Sequence, residues 1–296
     1  TDMDREGMLV EGFDRRSLFF TNYNAPYYLE HLTRLGYRKD VDWIEYRITV
    51  PAPGSAEAER LHKLSEFILK RKNLHVATVH HKSEYGPFVR QVFELVNAAY
   101  APLYGVVELS DEQIERYANK FIPLVDPEFV CFVLDEQENL VAFGVTTLDP
   151  SPALKHSDGR LFPFGWAGVL NDLHHGDTLI MLLTAVRPDL QTEGINAVMM
   201  DHVCQSCNRH GVQFAETGPM LELNDHILAQ WKRLEKEQHK RRRCFIKDLN
   251  HDVNAANTAA AAQALRNQKQ WQTSLTLWQQ ALSQAPGSDD YRIGYI

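Results

Sequence analysis

One stretch constrains this chain more than any other: Leu182-Leu183-Thr184-Ala185-Val186-Arg187-Pro188-Asp189-Leu190-Gln191-Thr192-Glu193-Gly194-Ile195-Asn196-Ala197. An apolar strand runs into a short turn, and the turn feeds directly into an amphipathic helix. The first N–H groups of a helix have no intrahelical partner, so this arrangement aims several of them at one point, where an anion such as a phosphate can sit. Gly194 carries no Cβ and lets the backbone come close to such a ligand. Residues 179–186 are apolar without alternation, the pattern of a strand covered on both faces. Pro188 cannot donate to a ladder, so strand pairing is expected to end there.

Composition sets outer bounds. A chain of 296 residues can bury a sizeable core and has room for more than one unit. Its 31 basic and 39 acidic residues give a net charge of −8, which argues against a general nucleic-acid surface. With 44% hydrophobic and 24% charged residues it falls in the ordinary globular class. No apolar run approaches the roughly 20 residues needed to span a bilayer, and no membrane partner is expected. Cys131, Cys204, Cys207 and Cys244 all fall in predicted regular elements, which suits a reducing cytoplasm better than a disulfide framework. The chain begins with Thr1 and reads as a trimmed or excerpted product.

Residues 74–249 read as one α/β unit. A strand over 74–80 precedes a helix from about Pro87, with Phe88, Val92, Leu95, Val96 and Ala99 at helical spacing. Ser110, with Gln113 three residues on, makes a capping-box pattern for a second helix. Residues 129–134 and 140–148 are strands joined by the polar turn Asp135-Glu136-Gln137-Glu138-Asn139, a hairpin. The Gly-, Pro- and His-containing segment 151–177 reads as a long irregular loop. A strand at 212–215, a helix bearing Ile227, Leu228, Trp231 and Leu234, and a strand over 242–249 complete the unit.

The strand–turn–helix stretch resembles the acyl-CoA-binding motif of the GNAT N-acetyltransferase superfamily. Val186-Arg187-Pro188 and Gln191-Thr192-Glu193-Gly194 match that motif in identity and spacing, whereas Asn196 stands where Gly or Ala is usual. The resemblance implies an α/β (α+β) fold, a mixed central sheet flanked by helices, with a short helical appendage at the C-terminal end. It implies acetyl-CoA, or another acyl-CoA, held by Gln191, by the backbone of Thr192, Glu193, Gly194, Ile195 and Asn196 at the pyrophosphate, and by Ala185 and Val186 at the pantetheine arm. In that fold the sheet splays beside the cofactor strand. The implied activity is acyl transfer, most simply acetyl, to a small-molecule or protein amine.

Within this resemblance the first 50 residues read as the remnant of a first GNAT-like domain, because Val10-Glu11-Gly12, Asn22 and Asn24, a helix over 27–35 and a strand over 43–50 echo the order near the end of the main unit. Residues 51–73 are then a linker ending in an amphipathic helix, and 74–249 the acyltransferase domain. Residues 250–296 resemble one tetratricopeptide repeat, with Ala262, Ser274, Ala281 and Pro286 at its small-residue and proline positions, or equally a helical hairpin. That tail is a possible protein-contact surface.

Acyl transfer to an amine needs a base to take the ammonium proton and a donor near the leaving thiolate. Glu222 is the first choice of base and Glu216 the second. Both have a plain structural reading as solvated or paired carboxylates, and Asn224 reads as a helix cap. The family commonly places a tyrosine acid on the final helix, where this chain has Trp231. No metal is expected: His202 and Cys204 point about 160° apart on a helix, and Cys207 with His210 supplies two ligands where a structural zinc needs four. The run His239-Lys240-Arg241-Arg242-Arg243 reads as a solvated strand edge or an anion contact. Against the enzyme stands a non-catalytic GNAT-like scaffold that binds acyl-CoA or a protein partner, a reading favoured by Asn196, Glu193 and the missing tyrosine.

Overall fold

A computed structural model describes Arg5 and residues 7–248, 258–264 and 271–284. Two compact units emerge, one of Thr1–Ala25 with Val41–Arg243, the other of Pro26–Asp40 with Cys244–Ile296.

The first unit is built on a mixed sheet flanked by helices, the class expected from the sequence. Its strands are β1 (Met8–Glu11), β2 (Arg38–Thr49), β3 (His75–Val76), β4 (Val130–Leu134), β5 (Leu140–Leu148), β6 (Thr178–Val186), β7 (Phe214–Thr217), β8 (Met220–Leu221) and β9 (Lys236–Ile246). Among the described residues the order is β1-β9-β2-β7-β6-β5-β4-β3, with β8 also paired to β2. β6 and β7 run parallel, while β4–β5, β5–β6 and β2–β7 are antiparallel.

Local chemistry explains the elements. The β4–β5 turn closes because the Asp135 carboxylate accepts from the N–H groups of Gln137 and Asn139, with Glu138 at φ +63°. Helix α2 (Ala56–Lys72) starts at Ser55, whose hydroxyl accepts from Ala58 N–H, and ends at Asn73 in the left-handed region. Helix α3 (Gly86–Tyr100) turns Val92, Phe93, Leu95, Val96 and Ala99 into a core with Phe132 and Phe143. The capping box of α4 (Asp111–Phe121) forms as read: Ser110 Oγ accepts from Gln113 N–H, and Gln113 Oε1 accepts from Ser110 N–H. Helix α7 (Asn196–His210) packs Val198 and Met199 on another core that includes Ile68 of α2.

Several readings change: the helix expected to bear Trp231 and Leu234 ends at Gln230, and the strand expected over 242–249 runs over Lys236–Ile246. Residues 151–177 are mostly helical, as α5 (Ser151–His156) and α6 (Gly165–His175); Gly and Pro in the connecting turn masked the period. The strand expected over 74–80 is confined to β3. The basic run is not a sheet edge, because β9 lies between β1 and β2; Lys240 and Arg242 are fully buried, while Arg241 and Arg243 are partly exposed. Strands β1 and β2, within the segment read as a domain remnant, are members of the same sheet, and the helix of the linker packs on α7. Helix α8 (Asp225–Gln230) is capped by Asn224, whose Oδ1 accepts from Ile227 N–H.

The second unit contains α1 (Tyr27–Arg34), on which the Tyr27 and Tyr28 rings stack at 4.7 Å. Helices over 258–264 and at Trp271–Gln284 meet through Ala259, Ala262, Trp278 and Ala281. Pro286 and the side chain of Ser274, two of the four positions on which the tetratricopeptide reading rests, lie outside the described residues, as do residues 249–257. No helix among the described residues is long and apolar enough to cross a membrane.

Candidate active site

The site begins with the parity of hydrogen bonding along β6. Arg187 N–H donates to Val141 O at 2.8 Å, and the register pairs Val186 with Ala142, Ala185 with Phe143 and Thr184 with Gly144. In an antiparallel ladder the hydrogen-bonded pairs alternate, so Ala185 turns its N–H and C=O toward β5, while Thr184 and Val186 turn theirs away. On that far side β7 pairs with β6 only from Thr178↔Phe214 to Met181↔Thr217. From Leu182 to Val186 the strand therefore has an open edge. Two of its carbonyls are covered by side chains: the Tyr100 hydroxyl donates to Thr184 O at 2.8 Å, and Gln191 Nε2 donates to Val186 O at 3.3 Å. Of the two residues expected to meet a pantetheine arm, Val186 faces the open edge, whereas the main chain of Ala185 belongs to the β5 ladder.

Beyond the strand, Pro188–Leu190 makes a 3₁₀ turn and α7 begins at Asn196. Gly194 sits at φ +82°, a conformation that only glycine adopts without strain, and a Cβ there would lie 3.1 Å from Ile68 Cδ1. Glu193 N–H bonds Leu190 O, and Ala197 N–H bonds Gly194 O. The N–H groups of Thr192, Gly194, Ile195 and Asn196 make no such backbone bond among the described residues. This is the donor set an anion needs. The negative charge of Glu193 is answered by Lys72 from the last turn of α2, 2.7 Å away, and this ion pair holds the Glu193 carboxyl below the usual range.

A cleft of about 730 Å³, measured out to its open mouth, adjoins the turn. Met181, Leu183 and Thr184 of β6, Asn196 and Met199 of α7, and Trp231 after α8 are among its walls. It is largely apolar, with the polar atoms of Thr184 and Asn196 at the end nearest the turn.

The two candidate carboxylates are placed very differently. Glu222 is clamped: its Oε1 accepts from Asp42 N–H at 3.2 Å, and its Oε2 accepts from Arg241 at 3.2 Å. Arg241 and Arg243 both also reach the buried Asp42 carboxylate. Glu216 on β7 is nearly buried, next to Thr217 where the β6–β7 pairing stops. Its neighbour Ala215 lines the cleft, so Glu216 faces the opposite side of the sheet. There its Oε2 lies 3.3 Å from Lys240 Nζ. Burial raises its carboxyl above the ordinary value, Lys240 opposes that rise, and the Asp149 charge adds to it.

Sequence reasoning passed over Tyr100, Lys72 and Glu45, and read Lys240 and Arg242 as part of a solvated edge or anion contact rather than as a buried set with Glu45. A signal for Tyr100 existed, since it continues the apolar face of α3 one turn beyond Val96. The pairing of Glu45 with Lys240 and Arg242 had none, because the partners are about two hundred residues apart in the chain. The cysteines are free, and no group of three metal-ligating side chains gathers among the described residues.

No protein-family model matches the chain. It is similar to protein YghO of Escherichia coli strain K12, 24% identical over 253 residues that make up 82% of this chain and 62% of that protein. It is also similar to the bacterial ceramide synthase of Caulobacter vibrioides, 25% identical over 169 residues covering 55% of this chain and 41% of that one. The chain thus spans less than two thirds of the length of these relatives. Solved structures similar to it include a GCN5-related N-acetyltransferase from Sphaerobacter thermophilus, 14% identical with a TM-score of 0.45 over 75% of this chain and 56% of that one.

Proposed function

We propose that this chain is the acyl-CoA-binding and catalytic part of an N-acyltransferase of the GNAT type. The observation that carries this reading is the open edge of β6 leading straight into the Gly194 turn. The edge offers the N–H groups of Thr184 and Val186, whose carbonyls accept from Tyr100 and Gln191, to an amide-bearing arm, and the turn offers the N–H groups of Thr192, Gly194, Ile195 and Asn196 to its diphosphate. An acyl-CoA would supply an acyl carbon activated as a thioester. A ceramide is an amide, so the name of the Caulobacter vibrioides relative fits transfer to nitrogen. Acetyl is the simplest acyl group, and the apolar cleft also accommodates longer ones.

Glu216 replaces Glu222 as the preferred base. Its raised pKa brings proton affinity closer to neutrality, and it stands where β7 leaves β6, whereas Glu222 is held by Arg241 and Asp42. Its role is to hold the proton released as the amine becomes an amide. Residues 1–50 are then the remnant of a related domain whose strands complete this sheet, the tail is a surface for a protein partner, and the free cysteines favour a cytoplasmic setting.

A non-catalytic scaffold is the second reading, favoured by the ion pairing of both candidate carboxylates. Titration calorimetry with acetyl-CoA, and with coenzyme A as second titrant, tests the cofactor. Micromolar binding followed by turnover of an amine supports the enzyme; binding without turnover of any amine supports the scaffold. No binding by the folded protein removes both acyl-CoA readings.

A further inference from the structure

The connection between β5 and β6 carries the two most exposed aromatic rings among the described residues, Phe162 at 83% and Phe164 at 79%. They belong to the run Leu161-Phe162-Pro163-Phe164-Gly165-Trp166-Ala167-Gly168-Val169-Leu170, in which no side chain is ionisable. The run forms the turn after α5 and the first half of α6, and Leu161, Trp166 and Leu170 are exposed as well. Trp166 and Leu170 stand four apart on α6 and so share one helix face. The helix buries none of its 11 residues. A helix with an apolar stripe ordinarily hides it against the core, and a contiguous apolar patch left in water marks an interaction site.

What the run lacks decides which partner it fits. Its one hydrogen-bonding side chain is already engaged, since Trp166 Nε1 donates to Pro163 O at 2.9 Å. In the main chain, Trp166 N–H donates to Leu161 O and Ala167 N–H to Phe164 O, and Pro163 has no N–H. A protein–protein interface carries about one hydrogen bond per 100–200 Å², and this tip has no side-chain group left to make one. A hydrocarbon boundary asks for none. Charge lies behind the tip instead: Lys155 and Arg160 are exposed and unpaired among the described residues, in a chain of net charge −8. Of the two acidic residues between 151 and 176, Asp172 turns its carboxylate in to Ala153 N–H at 2.8 Å, and Asp158 is exposed. Phe, Trp and Leu in front with Lys and Arg behind is the composition of an element that lies in the interface of a bilayer.

We propose that residues 161–170 are a membrane-docking tip. Leu161, Phe162, Phe164, Trp166 and Leu170 enter the boundary between headgroups and acyl chains of a phospholipid bilayer, and Lys155 and Arg160 meet anionic headgroups. Ten apolar residues are about half of what a span requires, so the contact is with one leaflet. The expectation of no membrane partner rested on the absence of a span, a criterion that a surface contact escapes. The tip joins the first end of β6 and the Gly194 turn follows the last, so the proposal is independent of the acyltransferase reading.

The test is co-sedimentation of the full chain with vesicles of phosphatidylcholine alone and of equal parts phosphatidylcholine and phosphatidylglycerol. Wild type should bind the mixed vesicles, and brominated acyl chains should quench its tryptophan fluorescence, an effect that Trp166→Phe largely removes. Phe162→Ser/Phe164→Ser should weaken binding by at least about tenfold, the scale of withdrawing two aromatic side chains from an apolar phase. Both rings are exposed, so the circular dichroism spectrum and coenzyme A titration of that variant should match wild type. Lys155→Gln/Arg160→Gln should weaken binding to the mixed vesicles by at least about fivefold and leave binding to the neutral ones unchanged. Absence of vesicle binding by the folded protein, or equal binding by wild type and the double serine variant, overturns the proposal. Equal affinity for neutral and mixed vesicles overturns its headgroup part. If wild type ignores vesicles but self-associates in sedimentation velocity, and the double serine variant is monomeric, the tip is a contact between copies and the membrane assignment falls. Tip-dependent vesicle binding in a protein that binds no coenzyme A upholds the tip and removes only the acyltransferase reading.

Discussion

The ammonium of Lys240 lies 3.3 Å from the Glu216 carboxylate, inside the sheet unit and away from water. Lys240 is equally close to Glu45, whose other oxygen accepts from Arg242 Nε at 2.6 Å. Two carboxylates and two cations thus neutralise one another between β2, β7 and β9. Removing one member of a buried ionic set leaves an uncompensated charge. Lys240→Met is therefore expected to cost about 3–5 kcal/mol of folding stability. Urea denaturation followed by circular dichroism measures it; a loss under 1 kcal/mol would show that the set relaxes or hydrates.

The same pair shapes pH dependence. The folded Glu216 has a raised pKa, so the folded state holds its proton more tightly than the unfolded state. Its contribution to stability is fully present below the unfolded value near 4.5 and is lost as pH rises through the raised value. For activity the sign reverses, since a base must be deprotonated. The acid limb of kcat/KM should lie above 4.5, and Glu216→Gln should lower kcat by roughly 10²–10⁴-fold with little change in coenzyme A affinity. Glu222→Gln should instead act mainly on stability. A Glu222→Gln variant that folds normally but loses turnover, beside an active Glu216→Gln, would restore the original order of preference.

His239, in the same buried strand, titrates in the opposite sense. Burial, with Lys240 and two arginines nearby, lowers it to about 3, so it is neutral in the folded state across the physiological range. With a depressed folded pKa, the stability it confers is present above 6.5 and declines as pH falls toward about 3. Chemical denaturation between pH 7 and 5 should show a decline that His239→Gln reduces. An identical slope in wild type and variant would assign the acid sensitivity to other groups.

How much of this was legible in sequence depends on the range of the interaction. The Ser110–Gln113 box, the Asn224 cap and the turn at Asp135 are settled by neighbours within four residues, and each forms as read. The strand into the Gly194 turn was equally plain, because an unalternating apolar run and a glycine at φ +82° answer local needs. The burial of β9 was not: five consecutive basic or histidine residues read as a wet edge until β2 brings Asp42 and Glu45 beside them. The surroundings of Glu216 and Glu222 were hidden for the same reason, since what separates the two is the set of charges that distant strands bring to each. The helices of segment 151–177 were hidden because neither starts at a side-chain cap and the glycines and prolines around them mask the period.

Lys72 and Glu193 form a cycle that isolates electrostatics at the anion turn. With Lys72 in place, the Glu193 charge is compensated 2.7 Å away. Lys72→Met exposes that charge to the site, and coenzyme A affinity should fall by about two- to fivefold, the scale of a single charge at a helix start. Glu193→Gln should leave affinity equal or improved, and the double variant should recover most of the loss. The difference should shrink at high salt, as for any partly exposed pair. If the double variant binds as weakly as Lys72→Met, then Lys72 acts directly on the ligand and the compensation argument is wrong.

Gly194 separates fold from function most sharply. Any side chain there meets two obstacles, a backbone at φ +82° and Ile68 Cδ1 at 3.1 Å. Strain of this kind costs about 1–3 kcal/mol, more for a β-branched residue, so Gly194→Val is expected to lose both stability and acyl-CoA binding. Gly194→Ala is the informative variant, being smaller and unbranched; pairing it with Ile68→Val opens space opposite the new methyl group. If the turn holds a diphosphate, Gly194→Ala/Ile68→Val should still fold in thermal denaturation, with the φ +82° strain remaining as a stability loss, yet bind coenzyme A at least several-fold more weakly, because that strain displaces the N–H groups that meet the anion. Wild-type affinity in that folded double variant would place the anion elsewhere and leave the turn as a structural bend.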